Sequence, residues 1–169
     1  MSHPPPLARI PVGVLVERRK ATSAWIDHVW RPVSVLAGAP DTAPWTILDQ
    51  SGDVTVFYAG PAEIGLYRSD TGSYRDNLAT EAPVLWVMMR STGAEPPYEI
   101  VTVTASPAEG EALTEPGTDL VETVPMPQII REAVAAFVAE HHVEQVFYKR
   151  KRDRAGAPER RPPIRENES

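Results

Sequence analysis

The sequence predicts an α+β fold, a mostly antiparallel β sandwich or small barrel of about seven strands closed by a C-terminal helix. Three observations carry this. Short runs rich in Val, Ile, Thr and aromatic residues recur, separated by Gly, Pro and Asp. Two of them, Trp45-Thr46-Ile47-Leu48 and Val54-Thr55-Val56-Phe57-Tyr58, flank Asp49-Gln50-Ser51-Gly52-Asp53, the pattern of a β-hairpin. One long segment near the C-terminus has helical periodicity. There Ile130, Val134, Phe137, Val138 and His141 share a face, and Arg131, Glu132 and Glu140 lie opposite.

The elements follow in order. Residues 1–9 are Pro-rich and expected to be disordered. Ile10-Pro11-Val12-Gly13-Val14-Leu15-Val16 opens a first strand running to about Arg19, with Pro11 suited to a strand start or an edge. From Trp25 to Leu36 both alternating phases carry apolar residues, which predicts a strand covered on both faces. The hairpin comes next. Gly60-Pro61 then predicts a turn, and residues 62–67 a separate meander strand. The polar connection 69–81 holds one helical turn around Tyr74-Arg75-Asp76-Asn77-Leu78. Residues 84–89 read as a central strand, and 98–104 as its hairpin partner.

Ser106-Pro107-Ala108-Glu109 combines an N-cap Ser, Pro at the first helical position and Glu at the third. It predicts a short helix to about Leu113, closed by Pro116-Gly117, with the Glu reaching back to the cap. Residues 119–124 fit either a connection or an edge strand. Pro125-Met126-Pro127 introduces the long helix, over about 127–142. The β-rich unit thus spans 10–148 as one domain, and the Lys/Arg/Pro/Glu-rich tail 149–169 is expected to be disordered.

Composition narrows the chemistry. With no cysteine, disulfides, thiol catalysis and iron–sulfur ligation by this chain are excluded. No run approaches the ~18 apolar residues of a membrane span, and the N-terminus shows no secretory pattern, so a cytoplasmic protein without a membrane role is expected. The net charge of −6 is unevenly spread. Residues 149–169 hold eight Lys/Arg against four Asp/Glu, and residues 1–148 hold nine against nineteen. An acidic body with a basic tail is a polarised molecule.

No catalytic constellation is visible. There is no G-x-S-x-G elbow and no phosphate-binding Gly-rich loop; Gly13, Gly38, Gly52, Gly60 and Gly65 are scattered. Adjacent His141 and His142 point about 100° apart on a helix and do not share one ion, which suits one His in the core and one in water. No metal site and no cofactor are expected. Trp25, Asp27, His28, Trp30 and Arg31 form the densest polar–aromatic cluster. It fits either a binding surface or a strand that packs its aromatic residues in the core. Lys149-Arg150-Lys151-Arg152-Asp153-Arg154 fits an acidic protein surface, nucleic-acid phosphates or plain solvation; the acidic body disfavours nucleic acid.

Several segments resemble an uncharacterised proteobacterial family of domains of unknown function. They include Ile10-Pro11-Val12-Gly13-Val14 with Glu17-Arg18-Arg19, and Trp25-Ile26-Asp27-His28-Val29-Trp30-Arg31-Pro32-Val33-Ser34-Val35. Phe57-Tyr58-Ala59-Gly60, Tyr74-Arg75-Asp76-Asn77-Leu78, Val103-Thr104-Ala105-Ser106-Pro107, Val124-Pro125-Met126-Pro127 and Phe147-Tyr148 with the basic run that follows complete the set. The resemblance spans roughly residues 10–154. It implies a small cytoplasmic protein whose gene tends to lie near formate dehydrogenase and molybdenum-cofactor genes, sometimes labelled molybdopterin-guanine dinucleotide biosynthesis protein A. No catalytic residue is carried over by it.

The expectation is therefore a non-catalytic accessory protein with a protein partner. The resemblance makes that partner a molybdenum-dependent oxidoreductase of formate dehydrogenase type or its maturation machinery. The alternative is an enzyme or carrier in molybdopterin-guanine dinucleotide biosynthesis, which needs an anion pocket drawn from Arg31, Arg68, Arg75 and Arg90. A weaker one is nucleic-acid binding through the tail. The candidate interaction residues are Trp25, His28, Trp30 and Arg31; Tyr74, Arg75 and Asn77; and Lys149, Arg150, Lys151, Arg152 and Arg154. Self-association is left open.

Overall fold

A computed structural model describes residues 4–22, 24–114 and 119–142. Seven strands lie among them: β1 (Ala8–Lys20), β2 (His28–Ala37), β3 (Thr46–Ser51), β4 (Val54–Leu66), β5 (Val84–Ser91), β6 (Tyr98–Thr104) and β7 (Leu120–Pro125). There are also three α-helices: α1 (Thr71–Leu78), α2 (Pro107–Leu113) and α3 (Gln128–His141). The strands form two antiparallel sheets, β2-β1-β4-β3 and β6-β5-β7, rather than a closed barrel. The sheets share one core: Val12, Val14, Val16 and Ile64 from the larger, Leu85, Val87, Met89 and Val103 from the smaller, and Ile130, Val134, Phe137 and Val138 from α3.

β1 begins at Ala8, ahead of the expected start, and the Leu7 N–H donates to the Leu66 carbonyl at 2.9 Å. It is the regular strand of its sheet. Val12, Val14 and Val16 point inward and are wholly buried, and Arg18 continues their phase. Its two neighbours are each bulged. Val14 pairs with Gly60 and Leu15 with Tyr58, so Ala59 is the extra residue of β4. On the other side Leu15 pairs with Ser34 and Val16 with Pro32, so Val33 is the extra residue of β2.

These bulges correct two expectations. Residues 54–66 are one strand, not two strands divided by a turn at Gly60-Pro61. The bulge switches the inward phase from Thr55 and Phe57 to Ala62, Ile64 and Leu66, which breaks the alternation along the chain. β2 is an edge strand, and its outward residues Val29 and Arg31 are exposed, so it is not covered on both faces. Its apolar residues occupy both phases because the bulge moves the inward set from Trp30 and Pro32 to Val35.

The hairpin is tighter than its five-residue turn suggested. Ser51 already pairs with Val54, which leaves Gly52 and Asp53 as the loop, with Gly52 at φ 57° in the first loop position. Residues 119–124 resolve as an edge strand: β7 pairs with β5.

The helices close one end. The Ser106 Oγ accepts from the Glu109 N–H at 3.1 Å, as an N-cap should. The reach-back is indirect, however. The Ser106 N–H donates to Thr104 Oγ1 at 3.1 Å, and the Thr104 hydroxyl donates to Glu109 Oε1 at 2.7 Å. Gly110 lies so close to Trp86 that a Cβ there would sit 2.3 Å from the indole Cγ. The helical turn expected around Tyr74 is a two-turn helix, α1. The expected closure of α2 at Pro116-Gly117 lies outside the described residues.

Candidate functional site

At the end away from the helices, the inward phase of the larger sheet changes from aliphatic to aromatic. Arg18 pairs with Trp30 on one side and Thr55 on the other, one row beyond Val16 and Phe57. Trp30 and Phe57 stack with centroids 5.6 Å apart and planes inclined by 20°. Trp45 meets both edge-on, at 6.1 and 5.7 Å. Tyr98 joins from the smaller sheet, 6.1 Å from Trp30. The Arg18 guanidinium lies 5.6 Å from the Trp30 ring and 5.2 Å from that of Phe57, and donates to Thr55 Oγ1 at 3.3 Å. Trp45 holds a left-handed backbone, φ 68°, at the entry to β3, where its N–H donates to the Tyr58 carbonyl.

The outward phase of the same strands carries charge. Glu17 is buried although it faces outward, because two arginines cover it. Arg19 Nε is 3.0 Å and Arg31 Nε 3.8 Å from Glu17 Oε2. Arg31 faces Glu17 across the strands, and Arg19 is two residues along β1. Lys20 pairs with His28 at the end of the hairpin, and the Ala21 N–H closes it on the Asp27 carbonyl at 3.1 Å.

Apolar side chains stand in solvent around this end. Trp25 is 93% exposed, Ile26 54% and Val29 49%, all at the β1–β2 junction. Ile47 and Leu48, on the opposite edge strand β3, are about half exposed. Leu48 is the extra residue of a bulge there, which blunts that edge for pairing.

The sequence-predicted residues therefore separate. Trp25, His28 and Arg31 lie on the surface of the hairpin end, and Trp30 lies beneath them in the aromatic cluster. Tyr74 and Asn77 do not reach the surface. The Tyr74 hydroxyl accepts from the Tyr67 N–H at 2.9 Å, its ring meets Phe137 edge-on at 6.2 Å, and burial pushes the phenol well above its ordinary pKa. The Asn77 amide bonds only to main chain. Arg75, between them, is exposed. Lys149, Arg150, Lys151, Arg152 and Arg154 lie outside the described residues.

The four arginines weighed for an anion pocket fall on separate supports. Arg31 is paired with Glu17, and Arg90 Nε is 3.4 Å from Asp119 Oδ1 at the end of β5. Arg68 and Arg75 belong to the segment around α1. Among the described residues no cluster of three or more His, Asp or Glu has the arrangement of a metal site. His142 is the buried histidine, with Nδ1 2.9 Å from Thr71 Oγ1, whereas His141 lies partly covered against the Phe137 ring. No helix among the described residues is long and apolar enough to cross a membrane.

Sequence reasoning missed Arg18, Trp45, Phe57 and Tyr98 as partners of Trp30. Strand alternation put Trp30 and Arg31 on opposite faces, and that signal separates the inner cluster from the outer charges. The pairing of Trp30 with Tyr98, which crosses between sheets, had no local signal.

Fold and surface together define a two-sheet β domain with helical cover at one end and an aromatic–basic end opposite. The chain belongs to the family described as a protein of unknown function, DUF3305, whose model matches residues 11–151. No curated protein matches it. No solved structure matches it.

Proposed function

We propose that this chain is a non-catalytic accessory protein that binds another protein through its β1–β2 end. The observation that carries the reading is the exposure of Trp25, Ile26 and Val29 together, next to a rigid aromatic cluster. Large apolar side chains held in solvent on a built support are characteristic of protein-binding surfaces. The partner to test is a molybdenum-dependent oxidoreductase of formate dehydrogenase type, or its maturation machinery, which the sequence resemblance suggests.

The experiment is deletion of the gene in its own host, with oxidoreductase activity and molybdenum-cofactor loading measured side by side. The expected result is lower activity, restored by the wild-type gene and poorly restored by a Trp25→Ala copy. Unchanged activity and unchanged loading in the deletion strain would overturn the partner assignment.

A further inference from the structure

The β1–β2 end differs in charge from the rest of the body. Residues 17–31 hold four Lys/Arg (Arg18, Arg19, Lys20, Arg31) against two Asp/Glu, whereas the remaining residues up to 148 hold five against seventeen. Along this hairpin end Arg19 and Arg31 share the outward face with the exposed Val29, Arg18 and Lys20 lie on the opposite phase with Trp30 and His28, and the exposed Trp25 and Ile26 stand at the junction of the two strands. One of the two acids, Glu17, is already covered by Arg19 and Arg31. A hairpin end that is basic on both faces and carries exposed apolar side chains thus stands on an acidic molecule.

We infer that this hairpin end is the docking surface for an acidic segment of another protein that also carries an apolar anchor. The inference rests on the accessory reading above and adds the chemistry of the partner. Charge complementarity selects that occupant: opposite potentials steer encounter, and the apolar side chains hold the complex. The chain's own tail, with eight Lys/Arg against four Asp/Glu over residues 149–169, is repelled from it. A nucleic-acid strand is a poorer fit, because the basic residues are divided between the two faces of the hairpin rather than laid out as a track along a phosphate backbone.

The test is a fluorescence titration of the full chain with three labelled probes: an acidic peptide of alternating Glu and Asp with two Leu anchors, its Lys-substituted counterpart, and a short oligothymidine. Two variants are compared with wild type, Trp25→Ala and the double change Arg19→Gln with Lys20→Glu. Trp25 is 93% exposed, so Trp25→Ala tests the surface at little cost to the fold. The expected result is binding of the acidic peptide alone, weaker at higher salt, and roughly tenfold weaker in each variant. Equal binding of acidic and basic peptides, unchanged binding in both variants, or preference for the oligothymidine would overturn the inference. So would a wild-type dimer that the double change dissolves, which would make a second copy the occupant.

Affinity capture from the host with the same three forms separates this inference from the reading beneath it. A partner held equally by all three forms keeps the accessory role and removes this surface. If no form captures a partner, the accessory role falls, and the peptide titration still decides the surface.

Discussion

The Asn77 side chain takes both main-chain polar groups of Val84, accepting from its N–H at 3.1 Å through Oδ1 and donating to its carbonyl at 2.8 Å through Nδ2. The same Nδ2 donates to the Ala105 carbonyl at 3.0 Å. One buried amide on α1 therefore stands in for a strand partner at the start of β5 and ties it to the end of β6. Asn77→Ala should cost roughly 2–4 kcal/mol, because it leaves buried main-chain groups without partners. Urea unfolding at unchanged m-value is the measurement. A loss under ~1 kcal/mol would show that water replaces the amide.

Gly110→Ala should destabilise by about 1–3 kcal/mol, since the added methyl must displace the Trp86 indole or the whole of α2. The cost should shrink in a Trp86→Leu background. A double-mutant cycle with no coupling between the two sites would mean that the helix moves instead of the ring.

Tyr74 gives the protein a particular alkaline sensitivity. Its phenol is raised by burial, with further contributions from neighbouring acids. The unfolded chain therefore loses this proton first, near the ordinary tyrosine value of about 10. The stabilisation is complete below that pH and is lost as pH rises toward the folded value. Tyr58, raised by burial as well, acts in the same direction. Thermal melts from pH 8 to 11 should show Tm falling above about pH 10, and falling less steeply in Tyr74→Phe. Parallel slopes in the two proteins would assign the fall to other groups.

The two tryptophans of the hairpin should behave oppositely. Trp25→Ala should change stability by less than about 0.5 kcal/mol, because its side chain stands in water. Trp30→Ala removes the ring that stacks on Phe57 and supports Arg18, at a cost of roughly 2–4 kcal/mol, less than for a wholly buried Trp. Chemical denaturation of both variants decides it. Similar losses would mean that Trp25 packs against the body in solution.

Which parts of this protein were readable in the chain depended on the range of the interactions. The Ser106 cap, the α3 face through Ile130, Val134 and Phe137, and the strand at 84–89 follow from rules that span a few residues. Those rules hold wherever the segment lands. The Trp25, Trp30 and Arg31 cluster was visible as composition, and strand alternation already hinted that Trp30 and Arg31 part company.

Tertiary structure decided the rest. An extra residue at Ala59 or Val33 is defined only against its partner strand, so no local pattern distinguishes a bulged strand from two strands or from a doubly covered one. The same holds for the burial of Asn77 and for the meeting of Trp30 with Tyr98 from the other sheet. Propensity and capping are properties of neighbouring residues, and the sequence alone determined them. Register, bulges and inter-sheet contacts compare segments far apart in the chain, and only packing around the shared core selected among them.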